Sequence, residues 1–593
     1  MRFHSILTAL FLLYSVSGIS QPAALSARDL YSDVRFLASD SLRGRKPGTP
    51  EMAVAAAFIR DHFKADGLKL MGDEGYQWVE IVTDVSTGEG NNLSFEGSMG
   101  ILRKDFIPLS FSSNGTLNAP VIFAGYGFDI ETDSLKWSDY KGLDVAGKWV
   151  MVLRADPELD NPGSKFIPYS DIRSKVLTAK DRNAAGILLV TPRGYEKEDK
   201  LIPLTTENND ITGGIPVINI SRNFADKILK SKDINIDSLE RLMVQQKQPY
   251  SFATGINLTG SADLIQKKEK TANVIALLEG SDPVFREEYL VIGAHYDHLG
   301  MGGPGSGSRM PDTNAVHNGA DDNASGTAMV LELARYFAST GEKPKRSMIF
   351  VAFTGEEMGL IGSKYFVGHP PIELKKIKAM FNFDMVGRFD KEKNSISVSG
   401  TGTSVEADSL MKLQEPGLSF SVVHSPDGYG PSDHAAFYTS NIPVLFFNTG
   451  VHTDYHTPLD DTDKLDFEAE QEIGAFAVKV IRAVDDFPRA LTFKESGKKD
   501  GTGRGGRKLK VTLGIMPDFA GTEKKGLRVD GITKDGPADK GGLKKGDIIT
   551  GINGLPVGNI YEYMSRLQKL KHGMTISVEI IREEKQQVLI IQL

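Results

Sequence analysis

Four apolar runs in the second half of the chain each lead into a cluster of acids and histidines. YLVIGA (Tyr289–Ala294) runs into HYDH, MIFVAF (Met348–Phe353) into TGEE, AMFNF (Ala379–Phe383) into DMVG, and PVLFF (Pro443–Phe447) leads within a few residues to HTDYHTPLDD. Strands this apolar have no face to spare for water, so they belong in a largely parallel sheet covered by helices. The segment GTAMVLELARYFAST supplies such a cover: Met329, Val330, Leu333 and Phe337 fall on one helical stripe. The predicted fold class is therefore α/β, a mostly parallel mixed sheet flanked by helices. In such sheets ligands collect at the carboxyl ends of the strands, where the polar clusters fall.

The TGEE cluster poses a specific problem. Adjacent carboxylates at a buried strand end repel each other, and an unpaired charge there loses its hydration without compensation. A cationic group is needed. His295, Asp322, Glu357, Asp384 and His456 can ligate two divalent cations through hard oxygens and imidazoles, with one carboxylate bridging. Glu356 diverges from Glu357 along the backbone and is free to act as a base on water. The chain contains no cysteine, which excludes a thiol nucleophile, cysteine-ligated zinc and a disulfide framework.

With 593 residues, 40% hydrophobic and 25% charged, the chain is globular in composition and too long for one core. Its net charge of -8, without a long basic block, favours neither nucleic acid nor an anionic membrane as partner. Residues 1–20 combine Arg2, an apolar stretch from Ile6 to Val16, and Gly18 and Ser20 at cleavage-site spacing. This predicts a signal peptide, the run being short of the ~20 residues that span a bilayer. A periplasmic or secreted protein, with no stable membrane span after cleavage, is the expectation.

Residues 493–508 contain the glycine-rich, basic ESGKKDGTGRGGRK, which reads as a linker to a separate C-terminal domain. Beyond it, TLGI (Thr512–Ile515) and GPADKGGLKKGDIITGINGLPV resemble a PDZ domain over residues 509–593. The resemblance implies a peptide ligand added as a strand, its terminal carboxylate held by loop amides. Residues 118–260 are strand-rich (APVIFAGYGF, GKWVMVLRAD, AAGILLVTP, GIPVINIS) and resemble a protease-associated domain. That implies an insertion shaping access to an active site while supplying no catalytic residue. Residues 24–117 and 261–492 would then form one interrupted domain.

GAHYDHLG, HNGADDNASG, FTGEEMGLIGS, FNFDMVG and YHTPLDD resemble the co-catalytic di-zinc aminopeptidases, which have the zinc exopeptidase fold. The resemblance implies two zinc ions per chain, His295 and Asp384 on one, Glu357 and His456 on the other, and Asp322 bridging. It implies that Asp297 orients His295, that Tyr455 donates to the oxyanion, and that Glu356 takes a proton from the attacking water. Peptides are the implied substrates. Three alternatives remain at this level: carboxypeptidase action, glutaminyl cyclisation with a single zinc, and a non-catalytic peptide-binding protein. Asp321, His298 and His317 read as loop residues, Asp433 and His434 in SDHAAF as pocket-lining or helix-start residues, and the glycine-rich Gly300–Ser308 as a mobile loop. Arg388 is the cation nearest in sequence to the cluster.

Overall fold

The computed structural model describes residues 24–593 except 133, 160, 162, 205–211, 497–510, 512, 518–524, 533–535 and 569. The expected leader and most of the linker lie outside the described residues.

A nine-stranded sheet forms the centre of the molecule. Its middle strands, Tyr289–His295, Ser347–Phe353, Ile377–Phe383 and Val444–Asn448, run parallel. Antiparallel strands flank them: Leu264–Leu278 beside Ser347–Phe353, and Ser395–Ser399 beside Val444–Asn448. Alternation along each strand sends successive side chains to opposite faces. Leu290, Ile292, Met348 and Phe350 pack with the helices Ala27–Leu37, Pro50–Ala65, Gly326–Ser339 and Phe467–Asp486. Val291, Ile349, Val351 and Phe353 pack on the other side with Phe366 and Phe437, from the helices Ile361–Gly368 and His434–Tyr438. Each fully buried side chain of this kind contributes on the order of 1.5–3 kcal/mol. Both faces being covered, the strand ends are where polar chemistry can sit.

Two long antiparallel strands, Tyr76–Thr87 and Leu264–Leu278, lead from this sheet to a second one. The second sheet has eight strands and begins at Asn92, earlier than the sequence pattern of residues 118–260 indicates. Asn92–Phe95 is a short strand paired with Ser251–Ala262, so its partner lies far along the chain and leaves no local signal. Four strands of this unit, Gly115–Ala124, Trp149–Leu153, Gly186–Val190 and Val217–Ile220, run parallel. The helix Ile172–Asp181 lies between two of them in sequence.

A third unit, with its own apolar core, covers Val511 to Leu593. Its strand Ile515–Pro517 pairs with Leu527–Ile532 and ends the sheet, and the helix Ile560–Gln568 lies beside the core through Tyr563 and Leu567. The packed chain ahead of the linker extends to Ser496: Phe493 forms a β-bridge with Ser404, and the Tyr438 hydroxyl donates to the Ser496 carbonyl while accepting from its N–H.

Candidate metal centre

His295 closes a central strand and is 1% exposed. Asp384 follows the end of the neighbouring strand, and its carbonyl accepts from Asn448 Nδ2 at 2.5 Å. Glu356 and Glu357 follow a third strand through Gly355, whose φ of 65° favours glycine. Asp322 sits in the turn Ala320–Ser325, ahead of the helix Gly326–Ser339, with a cis peptide to Asn323. His456 projects from the loop after the fourth strand.

The structure brings these side chains together. His295 Nε2 lies 3.4 Å from Asp322 Oδ1 and 3.5 Å from Asp384 Oδ1. His456 Nε2 lies 3.1 Å from Asp322 Oδ2 and 3.2 Å from Glu357 Oε2. Two donors each bound to one tetrahedral zinc at about 2.0–2.1 Å are about 3.3 Å apart. All four separations lie near that value, and the two oxygens of Asp322 face different histidines, as a bridging carboxylate requires. The donor set therefore fits a pair of zinc ions. Glu356 Oε2 is further out, 4.0 Å from His295 Nε2. A looser grouping that includes Glu356 with His295 and Asp384 keeps all its donor atoms only within 4.8 Å. Glu356 therefore stands apart from the close cluster of donors.

The charges follow from this crowding. Burial alone would lower both imidazoles. Around His295 the nearby Glu356, Asp384 and Asp322 outweigh it and hold the ring well above its ordinary value. His456, hydrogen-bonded to Asp322 and Glu357, is raised to about 10. Burial pushes Glu356 well above the usual carboxyl range, with Glu357, Asp433 and Asp384 adding and His295 opposing. Glu357 goes the other way: burial and Asp322 push it up, but the His298 and His456 imidazoles outweigh them. Adjacent glutamates thus differ in environment, one protonatable and one held as an anion.

Surrounding residues hold this donor cluster in place. Asp297, fully buried, accepts from the Glu356 N–H at 3.0 Å and the Glu357 N–H at 3.3 Å. Its Oδ1 stands 3.8 Å from His295 Nδ1, which instead meets the Asp297 carbonyl at 3.2 Å. Asp297 thus holds the glutamate turn by its carboxylate and His295 mainly by its backbone. Tyr455 stacks on His456, ring centroids 3.8 Å apart.

Several members of this shell carry no readable sign in the sequence. Arg45 is 0% exposed and donates to the carbonyls of Leu37, Tyr296, Asn318 and Gly319 at 2.5–2.9 Å, tying the His295 and Asp322 loops to the first helix. Burial lowers it to about 10, with Asp297, Asp322, Asp460 and Glu357 opposing. Asp460 accepts from the N–H groups of Asp321 and Asp322 at 3.0–3.2 Å. Asn323 accepts from Gly326 and Met385 and donates to Phe383, joining the bridging turn to the Asp384 strand.

Residues that read as loop positions also take part. His298 is buried, and its Nδ1 lies 2.8 Å from Glu357 Oε1, leaving Oε2 to face His456. Asp321 Oδ1 accepts from Gly387 and Arg388 and so shapes the turn after Asp384. The glycine-rich loop is anchored: the Gly307 carbonyl meets His456 Nδ1 at 3.1 Å, and Ser308 Oγ meets His317 Nε2 at 2.8 Å. A hydrogen bond from Nδ1 to a carbonyl sets which ring nitrogen faces a metal. Asp433 is buried at a helix start without capping it, and His434 stacks on Phe446 with centroids 4.4 Å apart.

Residues 273–481 match the family model described as Peptidase family M28, and residues 511–593 that of the PDZ domain. The chain is 25% identical over 419 residues to aminopeptidase YwaD of Bacillus subtilis (strain 168), covering 68% of this chain and 76% of that protein. It is 34% identical over 173 residues to leupeptin-inactivating enzyme 1 of Streptomyces exfoliatus, spanning 29% of this chain and about a third (34%) of that enzyme. Among solved structures, an aminopeptidase from Aneurinibacillus sp. strain AM-1 aligns with a TM-score of 0.46 at 22% identity, covering 79% of this chain and 95% of that one. BSAP, a zinc aminopeptidase from Bacillus subtilis, aligns with a TM-score of 0.44 at 21% identity, covering 78% and 95%.

Proposed function

Because the chain belongs to peptidase family M28 through residues 273–481, we propose that it is an exported zinc-dependent aminopeptidase hydrolysing peptide bonds at a free N-terminus. The observation that carries this reading is the placement of Asp322, whose two oxygens face His295 and His456 separately. His295, Asp384 and Asp322 would hold one zinc ion, and His456, Glu357 and Asp322 the other. Bound there, the pair supplies Lewis acidity, acidifying a water and polarising the scissile carbonyl.

The chain's own residues do the rest. Glu356 stands outside the close donor set, so its carboxylate is free to take a proton from the attacking water and return it to the leaving amine. Tyr455, stacked on His456, donates to the oxygen that gains charge. Asp297 keeps Glu356 in place through the backbone, so the base does not drift as its charge changes.

Charge favours a substrate held by its N-terminus. An ammonium group can pair with the carboxylates of the cluster, whereas a C-terminal carboxylate needs a free cation. Arg388 is already taken, its guanidinium donating to Asp454 at 3.1 and 3.2 Å. The second-sheet unit would act as the protease-associated insertion shaping access, and the PDZ domain would take a peptide C-terminus by strand addition. Export rests on the leader-like residues 1–20. Among the described residues, no helix is long and apolar enough to cross a membrane. The test is turnover of a peptide amide with a free N-terminus beside its N-acetylated twin. Preference for the free amine is expected; equal or faster cleavage of the acetylated one would favour the carboxypeptidase alternative.

A further inference from the structure

The linker pattern suggests a C-terminal domain free of the rest, yet the helix Ile560–Gln568 lies against the helix Ile172–Asp181 of the second-sheet unit. Two ion pairs of opposite sense cross this seam. Lys180 Nζ donates to Glu562 Oε1 at 2.7 Å, and Arg566 grips both oxygens of Asp181, one of them at 2.7 Å. Glu562 and Arg566 are one helical turn apart and face adjacent residues of the other helix, so only one register satisfies both pairs.

The pairs are not loose surface contacts. The side chains of Arg566, Glu562 and Asp181 are 2%, 8% and 11% exposed. Arg566 is held from its own side as well, donating through Nε and Nη2 to the Pro556 carbonyl. A bidentate guanidinium–carboxylate pair with a pre-positioned fork adds geometric specificity as well as energy. The same domain also reaches the central unit: a Cβ placed on Gly368 would stand 3.7 Å from Arg528 Nη2. Gly368 ends the helix that starts at Ile361, four residues beyond Glu357.

We propose that the PDZ domain is a docked brace whose binding partner is the insertion of its own chain, joined through the Lys180–Glu562 and Asp181–Arg566 seam. Docked there and touching the end of the helix Ile361–Gly368, it limits how far the insertion can swing relative to the metal centre. The brace rests on the interface itself and is independent of which peptide bond the enzyme cleaves.

The absence of cysteine makes the test clean. Spin labels on Glu131→Cys in the insertion and Glu583→Cys in the C-terminal domain, both exposed, report the separation of the two units in the full chain. A single narrow distance distribution is expected. It should broaden with Asp181→Lys, whose change lies outside the PDZ core, and likewise with Arg566→Glu. It should narrow again in the charge swap Asp181→Arg with Arg566→Asp. A broad distribution in the parent protein, or one unmoved by both single substitutions, would overturn the proposal.

Discussion

Replacing Glu356 by Gln should abolish most turnover while leaving metal binding intact, and replacing Glu357 by Gln should instead weaken metal binding. Glu356 stands 4.0 Å from His295 Nε2, beyond the 3.1–3.5 Å spacing of the close donors, so removing its charge subtracts no close ligand. An amide of the same shape cannot accept the water proton. Positioned proton transfer contributes about 10²–10⁴ in rate. At 1.36 kcal/mol per decade this predicts a barrier higher by roughly 3–5.5 kcal/mol for Glu356→Gln. Glu357 faces His456 at 3.2 Å through one oxygen and His298 at 2.8 Å through the other. On the proposed ligation its loss removes a direct donor, so zinc affinity should fall by at least the ~10–100-fold typical of residues behind the ligands. The assay is kcat at saturating zinc together with zinc affinity by chelator competition. Excess zinc should restore Glu357→Gln in part and Glu356→Gln not at all. If both variants lose metal and rate in parallel, the division between the two glutamates is wrong.

Arg45→Met should destabilise the chain by at least ~3 kcal/mol, because several buried carbonyls each lose a donor at about 1–3 kcal/mol; a urea midpoint within about 1 kcal/mol of the parent would refute the role assigned to Arg45. In the metal-free protein His456 is raised to about 10 from its ordinary value of 6.5. Its stabilising contribution is therefore fully present below about pH 6.5 and is lost as pH rises toward 10. Zinc competes with that proton, so zinc affinity should increase over the same range, with proton release at pH 7. Calorimetry in buffers of different ionisation enthalpy measures the release, and its absence at pH 7 would contradict the assigned charge state.

The central sheet and the positions that meet at its edge were legible because local pattern carries them. Apolar runs without a wet face announce parallel strands, and the acids and histidines lie within a few residues of the strand ends. The supporting shell was not legible because its bonds join residues far apart in sequence. Arg45 reaches Gly319 across 274 positions, and Asp460 reaches Asp322 across 138. His298 read as a loop histidine because nothing near it in sequence reveals that Glu357, 59 residues on, lies against its ring. The glycine-rich stretch looked mobile because glycine content says nothing of anchors such as Gly307 on His456. The start of the second sheet at Asn92 is of the same kind, set by its pairing with Ser261. So is the seam at Arg566, whose partner Asp181 lies 385 positions away.

The most direct measurement is the number of tightly bound zinc ions per chain in the active, dialysed protein, with Asp322→Asn measured beside it. Asp322 faces His295 through one oxygen and His456 through the other. Two ions are expected in the parent protein, and weakened binding at both positions in the variant. One ion per active chain, or a variant that weakens a single position and leaves the other untouched, would contradict the bridged pair.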